Sequence, residues 1–324
     1  MSVFEKRARL KPYEYPEVIK FSEGIQHSYW LVSEWNFISD IQDFKIKLTD
    51  KQRNIAKNAM LAISQIEVAV KKFWTKIGDR FPKAEFESVG VVFGESEVRH
   101  QEAYSKLLEV LGLNLDFELL LENPAIKGRV DYLQKYLKNA NSDENEEYSL
   151  TLTLFSLFVE NVSLFSQFLI LKSFNKYLKC LKDIDNVIDS TMHEENLHAL
   201  FGAYLINLIK KEKPQWFNEA FYEKLTKACK KAYLAEEKII DWIFEQGELS
   251  FLSKDVVKEF IKDRFNQSLK MIDAKEVFEI DKDKLKQVKW FNEEKHAQIS
   301  VDFFHKKSNA YTKRTKSIKA EDLF

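Results

Sequence analysis

Glycine and proline are scarce in this chain, with 8 and 5 among 324 residues. A sheet protein of this length needs turn formers at every reversal, so the shortage argues against a turn-rich β architecture and for long helices. Cysteine is scarcer still. Only Cys180 and Cys229 occur, at no spacing that builds a thiolate metal site or a redox pair. An excess of charge of one sign is missing too: 50 basic and 51 acidic residues leave a formal net charge of -1, so no global field draws in nucleic acid or an anionic membrane. Neither partner is expected. The N-terminus, MSVFEKRARLKPYEYPEV, lacks the apolar run of a secretory signal, and the expected compartment is the cytoplasm.

What is present is helical periodicity. Thr49-x-x-Gln52 is a capping box, and the helix it opens is expected to run to about Ile77, where Gly78 and Pro82 stop it. A second helix is expected over 84–111, ending at Gly112; Pro124 suits the first turn of another, and the polar stretch Asn139 to Glu147 reads as a loop. Further helices are expected over about 183–210, from Pro214 to near Gly247, and over 253–271 and 283–307. No domain linker or low-complexity tract interrupts them. Between Leu150 and Leu171 the only charged residue is Glu160. That stretch is long enough to cross a membrane, but Glu160, Asn161 and Gln167 near its middle fit a central helix of a soluble bundle better. A carboxylate there costs several kcal/mol unless a cation or strong donors compensate it.

Two copies of one pattern supply the chemistry. Glu67 is followed by Glu97-x-x-His100, and Glu160 by Glu195-x-x-His198. Positions i and i+3 share a helix face, so each Glu-x-x-His can aim a carboxylate and an imidazole at one point. Four carboxylates and two imidazoles on four helices form the ligand set of a dinuclear carboxylate site in a helical bundle. An ion pair with a Lys or Arg would satisfy Glu160 alone, whereas a metal accounts for all six residues together. Hard oxygens with one imidazole per metal suit Fe or Mn, both redox-active, beside apolar side chains such as Leu164 and Phe168. A third instance, Glu293-x-x-His296, sits among Lys289, Glu294 and Lys295 with no solitary Glu before it; it reads as a solvated surface pair.

The segments ESEVRHQEAY (Glu95 to Tyr104) and HEENLH (His193 to His198), with Glu160 in LFVENVSLF, resemble the radical-generating small subunit of class I ribonucleotide reductase. The resemblance extends from about Tyr15 to the C-terminus. It implies an all-α, ferritin-like helical bundle over residues 1–308, a C-terminal docking tail over 309–324, a homodimer, and a large catalytic subunit as partner in deoxyribonucleotide synthesis. Glu67, Glu97 and His100 would bind one metal, and Glu160, Glu195 and His198 the other. Tyr104 falls where the family keeps its radical tyrosine. Glu67 stands where tyrosyl-radical members mostly place Asp, and with Tyr104 retained this resembles the dimanganese subclass Id, so two Mn per chain are favoured over two Fe or a Mn/Fe pair. Glu194 replaces the Asp that usually links a tryptophan to the metal-bound histidine. The radical path implied runs through Trp30, with Trp35 as the alternative, Glu194, His100 and Tyr311, and the terminal Glu321-Asp322-Leu323-Phe324 resembles a docking peptide. The chain shows no paired thiols and no phosphate loop, so substrate chemistry is expected on the partner, and with so short an N-terminal lead no added nucleotide-sensing domain is expected. A ligand-binding oxidase and a ferritin-like metal store are the other readings of the same ligand set.

Overall fold

The computed structural model describes residues 2–138, 140, 142 and 144–293. Eight long helices carry the architecture: α1 (Ile19–His27), α2 (Asp50–Thr75), α3 (Ala84–Leu111), α4 (Pro124–Lys138), α5 (Asn145–Leu178), α6 (Lys182–Glu212), α7 (Glu219–Ile243) and α8 (Lys254–Lys270). Among the described residues the sole β feature is an isolated bridge between Leu249 and Leu252.

The helix ends follow from local chemistry where the caps are local. Thr49 Oγ1 accepts from the Gln52 amide and Gln52 Oε1 accepts from the Thr49 amide, closing the capping box of α2. Helix α3 stops at Gly112, whose φ of +76° is the left-handed cap glycine tolerates. Pro214 opens only the short turn Pro214–Trp216; α7 begins after Asn218, whose Oδ1 accepts from the Phe221 amide. The N-terminus of α6 is capped from a distance, by Asp40 on the Ile184 amide and Asp43 on the Leu181 amide.

Helix α5 departs from expectation. It starts at Asn145, inside the stretch read as a loop, and between Asn145–Leu154 and Phe165–Leu178 its middle, Phe155–Ser163, is π-helical. Its most apolar window is entirely buried within the protein, as the polar residues at its centre anticipated. Helix α2 ends at Thr75, and a short turn, Ile77–Arg80, carries the chain through Gly78. The helix expected over 283–307 is represented by the turn Lys282–Lys286 and helical residues to Glu293; the remainder lies outside the described residues, as do Tyr311 and the tail.

Helices α2, α3, α5 and α6 converge on one core. Phe73, Trp74, Phe93, Phe155 and Phe201 stack there, with Trp74 and Phe93 rings 5.4 Å apart and edge-on. Two glycines permit the approach. A Cβ on Gly90 of α3 would lie 2.6 Å from the Trp74 carbonyl oxygen of α2, and one on Gly202 of α6 would lie 2.0 Å from Ser156 Oγ of α5. The helices bearing the candidate ligands are therefore held closer than side chains would allow.

Candidate metal centre

All six residues of the repeated pattern are buried in one place: Glu67 and Glu160 are 1% exposed, and Glu97, His100, Glu195 and His198 are 0%. They form two groups, Glu67, His100 and Glu195 in one and Glu97, Glu160, Glu195 and His198 in the other, with potential ligand atoms within 4.8 Å of one another in each. The partition differs from the sequence expectation. Glu195 belongs to both groups, and Glu97 sits with Glu160 and His198, its Oε1 3.1 Å from His198 Nδ1 and its Oε2 3.7 Å from His100 Nδ1. Glu97 and Glu195 thus lie between the two imidazoles, because α3 and α6 face each other across the bundle.

The two histidines are oriented by what holds their outer nitrogens. His100 Nε2 lies 2.8 Å from Glu194 Oε2, an acceptor when ionised, so Nε2 carries hydrogen and Nδ1 turns to Glu195 Oε1 at 3.1 Å. For His198 the partner is Ser96. The Ser96 hydroxyl donates to the Phe93 carbonyl at 2.8 Å and therefore accepts from His198 Nε2 at 3.0 Å. His198 Nδ1 then faces Glu160 Oε2 at 3.3 Å and Glu195 Oε2 at 3.4 Å. Trp74 Nε1 donates to Glu160 Oε1 at 3.1 Å, leaving Oε2 for the cluster.

Whether these residues fit a metal can be read from what they leave unpaired. Both carboxylate oxygens of Glu67, Glu97 and Glu195, and His100 Nδ1, are buried without a hydrogen-bond partner. Such atoms are costly to orphan, and here they point at one another. Burial pushes the Glu67 carboxyl well above its ordinary range, and burial with the charges of Glu195 and Glu97 does the same to Glu160. Burial alone would lower the imidazole pKa values, yet the surrounding carboxylates hold both well above the usual value, led by Glu194 for His100 and Glu160 for His198. Hard oxygens, two imidazoles and no thiolate match Mn or Fe.

Beyond the cluster, Glu194 joins three groups. Trp30 Nε1 donates to its Oε2 at 3.1 Å, and Arg99 donates to Oε1 at 2.9 Å and to Oε2 at 3.2 Å. Burial would raise this carboxyl, but His100 and then Arg99 hold it below the ordinary value. The Glu194 carboxylate thus links the Trp30 indole to the His100 imidazole. Trp35 is not the residue bonded to Glu194; it packs on Trp30 with ring centroids 5.4 Å apart. Tyr104, 1% exposed, donates to Thr191 Oγ1 at 3.2 Å, and burial raises its pKa. Glu293 of the third pattern is ion-paired with Lys289 at 2.9 Å, while His296 lies outside the described residues. Cys180 and Cys229 are both free and buried.

A family model, ribonucleotide reductase small chain, matches residues 7–285. The chain belongs to that family. It is 24% identical over 95% of its length to a ribonucleoside-diphosphate reductase small subunit of Invertebrate iridescent virus 3, covering 85% of that protein. Among solved structures it resembles the ribonucleotide reductase R2 subunit from Clostridium botulinum, with a TM-score of 0.77 at 16% identity over 87% of this chain and 88% of that one. It also resembles an R2-like ligand-binding oxidase with a reconstituted Mn/Fe cofactor, with a TM-score of 0.70 at 19% identity over 81% of this chain and 94% of that one. The fold is thus the ferritin-like bundle of the family.

Reading the family pattern located Glu194 and Tyr104 but missed Trp74, Ser96, Arg99 and Thr191. Trp74 follows Glu67 by seven residues, two helical turns, as Tyr104 follows Glu97. That spacing was the available signal.

Proposed function

We propose that the chain is the radical-initiating small subunit of ribonucleoside-diphosphate reductase, a cytoplasmic homodimer that acts with a large catalytic subunit. Glu67, His100 and Glu195 hold one metal, and Glu97, Glu160, Glu195 and His198 the other, with two Mn per chain favoured over two Fe or a Mn/Fe pair. When bound, the metals supply a one-electron oxidising equivalent. The observation that carries the reading is the hydrogen-bonded series His100, Glu194, Trp30, which leads from a ligand imidazole to an oxidisable indole. Loss of an electron makes an indole N–H acidic, and Glu194 Oε2 lies within proton-transfer reach of it. Arg99 and His100 fix Glu194 in that position. Tyr311 is the onward station toward the partner.

The surroundings of Tyr104 support storage of the oxidant at the metals. Among the described residues its hydroxyl bonds a neutral threonine hydroxyl rather than a carboxylate, so its hydrogen-bond partner is not a strong base. Val68 on α2 and Val91 and Val98 on α3 are 60%, 59% and 43% exposed, and the seven-residue spacing on α3 puts the latter two on one face; these exposed valines support the proposed dimer contact. The second reading, a ligand-binding oxidase, draws on the similarity to that fold alone.

The test is reconstitution. Loaded with Mn(II) and oxidised, the chain should support ribonucleotide turnover by its large subunit, and Trp30→Phe should abolish turnover while leaving two metals per chain. Equal turnover by Trp30→Phe would remove this tryptophan from the path.

A further inference from the structure

The π-helical stretch of α5 carries Glu160, and it is gripped from outside the metal cluster. Arg264 of α8 is 2% exposed, and none of the ion pairs among the described residues includes it. Its Nε donates to the Asn161 carbonyl at 2.7 Å and its Nη2 to Asn161 Oδ1 at 2.5 Å. The guanidinium lies 3.4 Å from the centroid of the Phe165 ring. Asn161 Nδ2 in turn donates to Ser268 Oγ at 2.7 Å, one helical turn along α8 from Arg264. An unpaired buried cation is expensive, and neutral carbonyls with an aromatic face return part of that cost. Such an arrangement calls for a reason beyond filling space.

The reason offered by the geometry is register. A π-helical stretch is rare and less favourable than α-helix, and persists where its surroundings over-determine it. Relaxation of the stretch to α-helix would change the turn count between the two ends of α5 and so rotate Glu160 relative to Phe165–Leu178. The carboxylate would then leave the cluster. Fixing both the carbonyl and the side chain of Asn161 fixes its Cα, and the adjoining trans peptide places the Glu160 Cα about 3.8 Å away. Ser163 adds a local brace, its Oγ donating to the Phe158 carbonyl at 3.0 Å. Across the bundle Trp74 holds Glu160 Oε1.

We infer that Arg264, through its two-point hold on Asn161, is a positioning residue for the metal centre: it locks the π-helical register that aims Glu160 at Glu97, Glu195 and His198. This rests on the reading of Glu160 as a metal ligand. The inference predicts that the hold affects one metal position and not the other.

The experiment is titration of Mn(II) into the metal-free full chain by calorimetry, with amide hydrogen exchange over 155–165 measured in the same metal-free protein. Asn161→Ala removes the side-chain half of the grip and should weaken the second Mn(II) by about 10-fold, the scale at which partners outside the ligand set act, while the first is unchanged. Exchange should accelerate in 155–165 and not in α6. Asn161→Asp keeps an acceptor for Arg264 and should bind both ions as wild type does. Arg264→Met should reproduce Asn161→Ala, and combining the two should add little; if Arg264→Met does not fold, Asn161→Ala decides. Wild-type affinity at both positions in Asn161→Ala overturns the inference, as does an equal loss at both. If Glu160→Ala itself leaves Mn(II) binding unaltered, it is the ligand reading that fails. A loss in Glu160→Ala without one in Asn161→Ala sinks the positioning role alone.

Discussion

Glu160 shows how much one residue can disclose. A single carboxylate in a long apolar stretch had to find compensation, and it finds it twice, in the Trp74 indole and in the imidazole of His198. Replacing it by Ala should abolish or weaken binding of the metal it shares with Glu97, Glu195 and His198 by at least about 10-fold, read by metal analysis and calorimetry. His296→Ala should leave loading at two metals per chain; loss of metal there would reverse the choice among the three Glu-x-x-His patterns. Tyr104 poses a different question. Tyr104→Phe removes one hydroxyl bond to Thr191, costing about 0.5–1.5 kcal/mol in denaturant unfolding, and should retain appreciable turnover once the metals are oxidised. A sharp tyrosyl resonance in active wild type, with an inactive Phe variant, would return the protein to the tyrosyl-radical group. The clustering of the candidate ligands was legible because charge in an apolar helix is rare. Ser96 and Thr191 were not, since small hydroxyl residues carry no such signature and their role lies in which way a histidine or tyrosine turns.

At the scale of the helices, legibility tracked locality. The Thr49 box and the Gly112 stop stand within a few residues of the ends they set, and both ends were found. The start of α6 was bracketed only by its periodicity, because its caps come from Asp40 and Asp43, far back in the chain. The π-helical part of α5 left no trace at all. A helix apolar on every side has no stripe whose phase could slip, so a change from 3.6 to a wider turn is invisible in the pattern. The close packing of α5 on α6 gives a test. Gly202→Ala would put a methyl carbon 2.0 Å from Ser156 Oγ and 2.2 Å from its Cβ, so no rotamer change alone relieves the contact. Overpacking of this kind should cost about 1–3 kcal/mol by chemical denaturation. Ser156→Gly in the same chain should recover part of it. An unchanged midpoint in Gly202→Ala would mean that the two helices can part without penalty.

The molecule as a whole is a scaffold that brings four carboxylates and two imidazoles to one buried point, and binding there should stabilise it. A ligand that binds the folded chain alone contributes about 2.7 kcal/mol at one hundred times its dissociation constant, so Mn(II) should raise the unfolding temperature of wild type more than that of Glu160→Ala. Its two cysteines are buried and free, and the proposed large subunit is the partner expected to carry the substrate chemistry. The proposed tail makes the division of labour testable. Residues 312–324 are mostly polar and end in Glu321-Asp322-Leu323-Phe324, and a short acidic-apolar segment of that kind binds by laying its apolar side chains into a partner's groove. Deleting 312–324 should therefore spare metal loading and helical content while abolishing affinity for the large subunit. Tyr311→Phe loses only a hydroxyl, so docking should stay nearly unchanged while turnover fails for want of an oxidisable phenol. Affinity and turnover have to be measured together, because low turnover alone would not separate lost docking from a broken path. Full turnover by both variants would take the tail out of the mechanism and move the ligand-binding oxidase ahead.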